Sequence, residues 1–198
     1  MTHLTDGYPA RVQDLTPFRV GFVPGVMPDK WDQSWTEHER ASRRWRKLEL
    51  VPVPLADQER VLREGELDMC LVRGEIDRDG MHLVSLYREV PVAVVSKDHP
   101  AAAYDELTLA DLDGELDILA EFPDLDLPMA IETAAAGSGY VLVPMSLARL
   151  HHRKDVVHRP VTDAEESPIG LAWLIANDDA DAQQFVGIVR GRTARSSR

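Results

Sequence analysis

The chain has 198 residues, 44% of them hydrophobic and 28% charged, with a formal net charge of −12 at pH 7. That length allows one large domain or two small ones, with enough apolar residues for a proper core. The acidic balance argues against direct binding to duplex nucleic acid, whose affinity rests on phosphate neutralisation by Lys and Arg. The single cysteine, Cys70, excludes an internal disulfide.

Residues 1–11 carry no basic segment followed by an apolar one, so no secretory signal is expected. No apolar run is long enough to span a bilayer, and a cytoplasmic protein is the expectation. Residues 1–16 read as a polar lead-in. Residues 18–25 are a first strand, short, β-rich and ended by Pro24 and Gly25. A helix follows, with Asp29 near its start and tryptophans at 31, 35 and 45. At helical spacing these three indoles lie within about 80° of one another. They read as a core or subunit-contact stripe, and Trp31 is also a candidate for ligand stacking. Residues 48–54 form a second strand, where Pro52 suggests an edge position or a bulge. A helix over about 56–64 ends at Gly65, which suits the left-handed closing position. Met69, Cys70, Leu71 and Val72 then form a continuous apolar run, as in a strand covered on both faces. Cys70 on that run reads as a small core residue. The alternation of strands and helices favours a parallel sheet with right-handed crossovers. Ligands of open α/β sheets sit beyond the carboxyl ends of strands, so Arg73 and Gly74 are placed to meet a small molecule.

Residues 81–96 read as two strand-like runs with a kink near Pro91. Residues 107–112 look like a short helix with Thr108 as its cap, 116–120 a brief strand, and 124–128 an acidic surface loop. Residues 130–136 are helical and end at Gly137 and Gly139. A strand at 140–144, a helical turn at 146–151, a late strand at 169–175 and a terminal helix at 180–190 complete the reading. Four arginines occupy the last nine residues, and 192–198 read as a disordered basic tail.

Three signposts then line up: the first strand ending in Pro24-Gly25, the strand opened by Gly65-Glu66-Leu67-Asp68, and the run Val92 to Pro100. With the segment Gly137 to Ser146, these resemble the effector-binding domain of LysR-type regulators over roughly residues 17–191. The resemblance implies an α/β, two-lobed, type 2 periplasmic-binding-protein-like fold with a ligand cleft between the lobes. One lobe would hold 17–95 plus 168–191, and the other, shortened, 96–167, with chain crossings near 95–98 and 161–168. Only about 16 residues precede the first strand, so the family's N-terminal winged helix-turn-helix is expected to be absent. The resemblance also supplies the ligand-binding candidates: Gly25, Val26 and Met27 at a helix start, Arg73 and Gly74, Ser96 at the crossing, and Pro144 and Ser146. A helix N-terminus offers free N–H groups, so the turn at 26–28 is suited to a carboxylate, with Arg73 pairing to it bidentately. The competing reading for Arg73 is a salt bridge to Asp68, Glu75 or Asp77.

Other chemistry finds little support. Gly137-Ser138-Gly139 lies between helix and strand, the wrong order for a nucleophile elbow or a phosphate loop. His151, His152 and His158 lack a supporting ligand pattern for a metal. Glu165, Glu166, Asp178 and Asp179 read as solvated turn residues. No cofactor, metal or catalytic residue is expected. The chain reads as a non-enzymatic binding domain for a small-molecule effector, a carboxylate metabolite, acting as a sensor without direct nucleic-acid or membrane binding. A homodimer or a protein partner is expected, with the tryptophan helix as its candidate surface. The rival readings are a ligand-free interaction module and an enzyme on the same fold, which would need a convergent acid/base pair.

Overall fold

The computed structural model describes residues 16–42, 45–177 and 179–191. The expected basic tail, nearly all of the lead-in, and Asp178 lie outside the described residues. Within them the strands are β1 (Phe18–Phe22), β2 (Leu48–Pro52), β3 (Met69–Arg73), β4 (Met81–Glu89), β5 (Pro91–Ser96), β6 (Val141–Pro144), β7 (Val156–Pro160) and β8 (Ser167–Leu174). The helices are α1 (Asp29–Ala41), α2 (Arg60–Arg63), α3 (Ile118–Glu121), α4 (Leu127–Ala135), α5 (Met145–Leu150) and α6 (Ala180–Val189). Five strands form one sheet in the order β2-β1-β3-β8-β4, and three form a second in the order β6-β5-β7.

The first sheet is parallel across β2, β1 and β3 and turns antiparallel where β8 enters between β3 and β4. Its apolar runs are explained by period-two alternation between two covered faces. Met69 and Leu71 of β3 point into a core shared with Trp35 of α1 and Phe185 of α6. Cys70 and Val72 point the other way, against Val61 and Leu62 of α2. In the second sheet Val92 and Val94 of β5 meet α3, α4 and α5. Ala93 and Val95 meet the short 3₁₀ turns at Pro100–Ala103 and Leu109–Leu112.

Tryptophans fill the first core. Trp35 is fully buried, stacked on Phe18 at 5.0 Å and edge-on to Trp45 at 6.1 Å, and Trp31 is buried beside them. Trp31 and Trp35 are therefore core and not a partner surface, while Trp45, expected on the same helix, lies beyond its end at Ala41 and is half-buried against that core. A half-buried cation closes this core. Arg46 pairs with Asp68, Asp179 and Asp181 at 3.3, 2.8 and 2.6 Å and lies over the Phe18 ring. Those bonds outweigh its desolvation and push its pKa up.

Several elements differ from the sequence reading. The strand expected at 116–120 is helix α3, because the Asp117 carboxylate accepts the Ala120 N–H at 3.2 Å and caps a helical turn. Only a single bridge, Asp117 to Tyr140, remains of that strand. The acidic loop at 124–128 ends as the start of α4, with Asp126 as its cap and Pro128 in its first turn. Strand β7 was not foreseen: its Val156-Val157 pair is flanked by charge, and its pattern is too short to register. The crossing between sheets falls at Val90. Pro91–Ser96, expected to end the first lobe, is the central strand of the second sheet. Pro91 has no N–H to extend the β4 ladder, so the chain leaves the first sheet there.

Candidate functional site between the two lobes

At the crossing the two sheets enclose a cleft of about 780 Å³, lined by Phe22, Pro24, Gly25, Val26 and Met27 from the first lobe. Glu89 and Val90 line it from the crossing, and Met145, Ser146, Arg149 and Leu150 from α5. The walls are mostly apolar, and Met27, Val90 and Leu150 are large apolar side chains left exposed there. Gly25 brings the first lobe close to Ser146 of the second. It adopts φ 86°, and a Cβ built on it would lie 2.4 Å from the Ser146 hydroxyl. Only glycine lets the chain turn left-handed this near the opposite wall.

Beneath that contact lies an ion pair. Arg73 and Glu89 are buried, with Arg73 Nη1 donating to Glu89 Oε2 at 2.5 Å. The Ser146 hydroxyl donates to the same oxygen at 2.7 Å. Arg73 Nη2 donates to Ser146 Oγ and to the Pro24 carbonyl, both at 3.1 Å, and Nη1 reaches Ser167 Oγ at 3.4 Å. The Arg73 main chain is clamped as well, both its N–H and its carbonyl bonding the buried amide of Gln58. A residue of the second lobe is thus tied to a charged pair of the first, in a setting where screening by water is weak.

This geometry redistributes the sequence candidates. Gly25, Val26, Met27 and Ser146 come together on the cleft wall. Arg73 lies beside that wall, and its ion-pair partner is not Asp68, Glu75 or Asp77 but Glu89, sixteen residues on. Gly74 turns away at φ 75°, and its N–H bonds the Pro168 carbonyl at 2.9 Å. Pro144 pairs with Pro91 at the head of the second sheet, one residue before the lining. Ser96 stands at the opposite end of β5, roughly 16 Å along the strand from Pro91 at 3.3 Å per residue, and it is buried. The turn at 26–28 also has fewer donors than expected. Val26 N–H already bonds the Val23 carbonyl at 3.2 Å, and Pro28 has none to offer.

Sequence reasoning missed Glu89 and Arg149. Among the described residues these are the charged side chains that line the cleft. Glu89 is signalled only by its place at the end of a strand before Pro91. Arg149 lies in a short amphipathic turn and is exposed, and it has no hydrogen bond or ion pair among the described residues. No group of three or more metal-capable side chains converges among the described residues. No helix there is long and apolar enough to cross a membrane.

A mostly apolar cleft between two lobes is one of the places where small-molecule pockets occur. The LysR substrate binding domain model matches residues 40–123. The chain is 39% identical over 67 residues to the Hca operon transcriptional activator HcaR of Escherichia coli K12, spanning 34% of this chain and 23% of that protein. It is 29% identical over 179 residues to the HTH-type transcriptional regulator CatR of Pseudomonas putida, spanning 77% and 61%. The chain thus covers less than two thirds of the length of these relatives. Among solved structures, the BenM effector binding domain with its effector benzoate aligns with a TM-score of 0.69 at 20% identity, over 91% of this chain and 93% of that one. The reduced OxyR regulatory domain from Pseudomonas aeruginosa aligns at 0.63 and 19%, over 89% and 95%. Residues 40–123 are thus similar to the LysR substrate binding domain, and the chain as a whole shares the two-lobed fold of the BenM effector binding domain.

Proposed function

We propose that this chain is a sensor module that binds a small-molecule effector in the cleft between its lobes and works inside the cell in transcription control. The observation that carries this reading is the cleft itself. Its volume of about 780 Å³ falls within the range of ligand pockets. It is apolar, and it sits where a glycine of one lobe touches a serine of the other. The family match and the benzoate named with the BenM domain support it. Non-enzymatic action fits the same relatives, whose names are those of regulators. An effector that touches both walls binds the closed arrangement better than the open one, and it shifts the population only by that difference. The shift is passed to a second copy of the chain or to a protein partner.

The test is a thermal-shift and calorimetric screen of small carboxylates and their neutral analogues. A binder that raises the melting temperature with concentration supports the sensor, since a ligand at 100 times its Kd adds about 2.7 kcal/mol. Its effect must weaken when Met27→Trp, at an exposed position on the cleft wall, fills the cleft while the fold is kept. A screen without binders would remove the sensor and leave a module acting through proteins alone.

A further inference from the structure

Resting on that sensor reading, we infer that the effector is a monocarboxylate with an apolar body, anchored by Arg149 and not by Arg73. The argument is one of charge. Arg73 has the fork geometry for a carboxylate, but the chain supplies its own: Glu89 neutralises it at 2.5 Å, in a position 6% exposed on the Arg73 side chain and 9% on the Glu89 side chain. An external acid would have to displace a buried, hydrogen-bonded carboxylate to reach it. Arg149 lines the same cleft with its guanidinium unengaged among the described residues, and it offers two parallel N–H donors to an incoming carboxylate. Between the two ends lie Phe22, Val26, Met27, Val90, Met145 and Leu150, which give an apolar body somewhere to rest.

Glu89 then sets the other half of the selectivity. Its Oε2 is taken by Arg73 and Ser146, whereas Oε1 has no hydrogen bond among the described residues. A second carboxylate on the effector would meet this oxygen across a weakly screened wall, where like charges repel. The cleft is therefore built for one negative charge at the α5 end and none at the crossing.

The experiment compares octanoate, 2-naphthoate and benzoate with their amides and with octanedioate, by calorimetry on wild type, Arg149→Met and Arg149→Lys. The acids should bind wild type at least tenfold more tightly than the amides, and octanoate more tightly than octanedioate. Loss of one charge-assisted pair at an open site is worth about tenfold. Arg149→Met should abolish the acid-over-amide preference, and Arg149→Lys should restore part of it. Both variants should unfold like wild type, because Arg149 is exposed and unpaired. His158 gives a second readout. Burial lowers its pKa first, and then Arg149, Arg159 and His152. A carboxylate bound to Arg149 offsets one of those charges, so the His158 ring resonance should titrate at higher pH when octanoate saturates the protein. Amides that bind as tightly as acids, or an acid preference that survives Arg149→Met, would overturn the anchor and leave the sensor standing. If no acid and no amide binds, the sensor reading falls and takes the anchor with it.

Discussion

Removing the Glu89 carboxylate tests how tightly the Arg73–Glu89 pair is coupled at the base of the cleft. In Glu89→Ala the Arg73 guanidinium stays buried, with the Pro24 carbonyl and the Ser146 and Ser167 hydroxyls as acceptors but without a counter-charge. Removing one partner of a buried pair costs about 3–5 kcal/mol. The three remaining neutral acceptors place the cost at the lower end, about 3 kcal/mol, a large share of the roughly 5–15 kcal/mol available to a domain. At a urea slope of about 2 kcal/mol per molar, the midpoint should fall by about 1.5 M. Arg73→Met should cost a similar amount. The double variant Arg73→Met/Glu89→Ala should cost clearly less than the sum, by a coupling of about 2 kcal/mol. Urea titrations followed by far-UV circular dichroism and by tryptophan fluorescence would measure this. Trp31, Trp35, Trp45 and Trp173 all belong to the first core, so fluorescence reports that lobe and dichroism both. Additive single variants, or a Glu89→Ala midpoint within about 0.5 M of wild type, would refute the view that the pair is tightly coupled.

Gly25→Ala combines a φ of 86° with a Cβ 2.4 Å from Ser146 Oγ. It should cost about 1–3 kcal/mol in thermal unfolding, and adding Ser146→Ala should recover only the part due to the clash. His158 is held below its usual 6.5 by burial and by the cations around it. The unfolded chain therefore binds its proton more readily, and stability falls as pH drops through about 6.5. His158→Gln should narrow the melting-temperature difference between pH 7.5 and pH 5, and an unchanged difference would remove this residue as a cause. Burial pushes the Cys70 thiol up to about 12. It should resist iodoacetamide at pH 8 in the native protein and react once urea unfolds the chain.

Much of this protein was set by local patterns. The continuous apolar run at 69–72 needed cover on both faces, and the structure gives it two cores, one on each side of the strand. Gly65 closes its helix at φ 68°, Pro52 lies in an edge strand, and Thr108 caps its turn within a full capping box. Short-range rules suffice there because a cap, a glycine turn or a period-two stripe is decided within a few residues. The cleft wall at Gly25, Val26, Met27 and Ser146 was legible because the family pattern marked it.

The rest was settled by contacts between distant parts of the chain. No local signal tells that Arg73 finds its partner on the next strand but one in the sheet, or that Arg46 gathers carboxylates from two segments 22 and 135 residues away. A charged side chain is satisfied by whichever opposite charge the fold brings within about 3 Å, and sequence spacing does not encode that distance. The same holds for the tryptophan stripe, which periodicity placed on one helix face without saying whether core or a partner covers it. Sequence determined which residues turn, cap and bury; the tertiary structure decided which charges meet. Among the described residues, Arg149 is the cation lining the cleft without a hydrogen bond or ion pair, and Arg73 is paired with the chain's own Glu89 carboxylate.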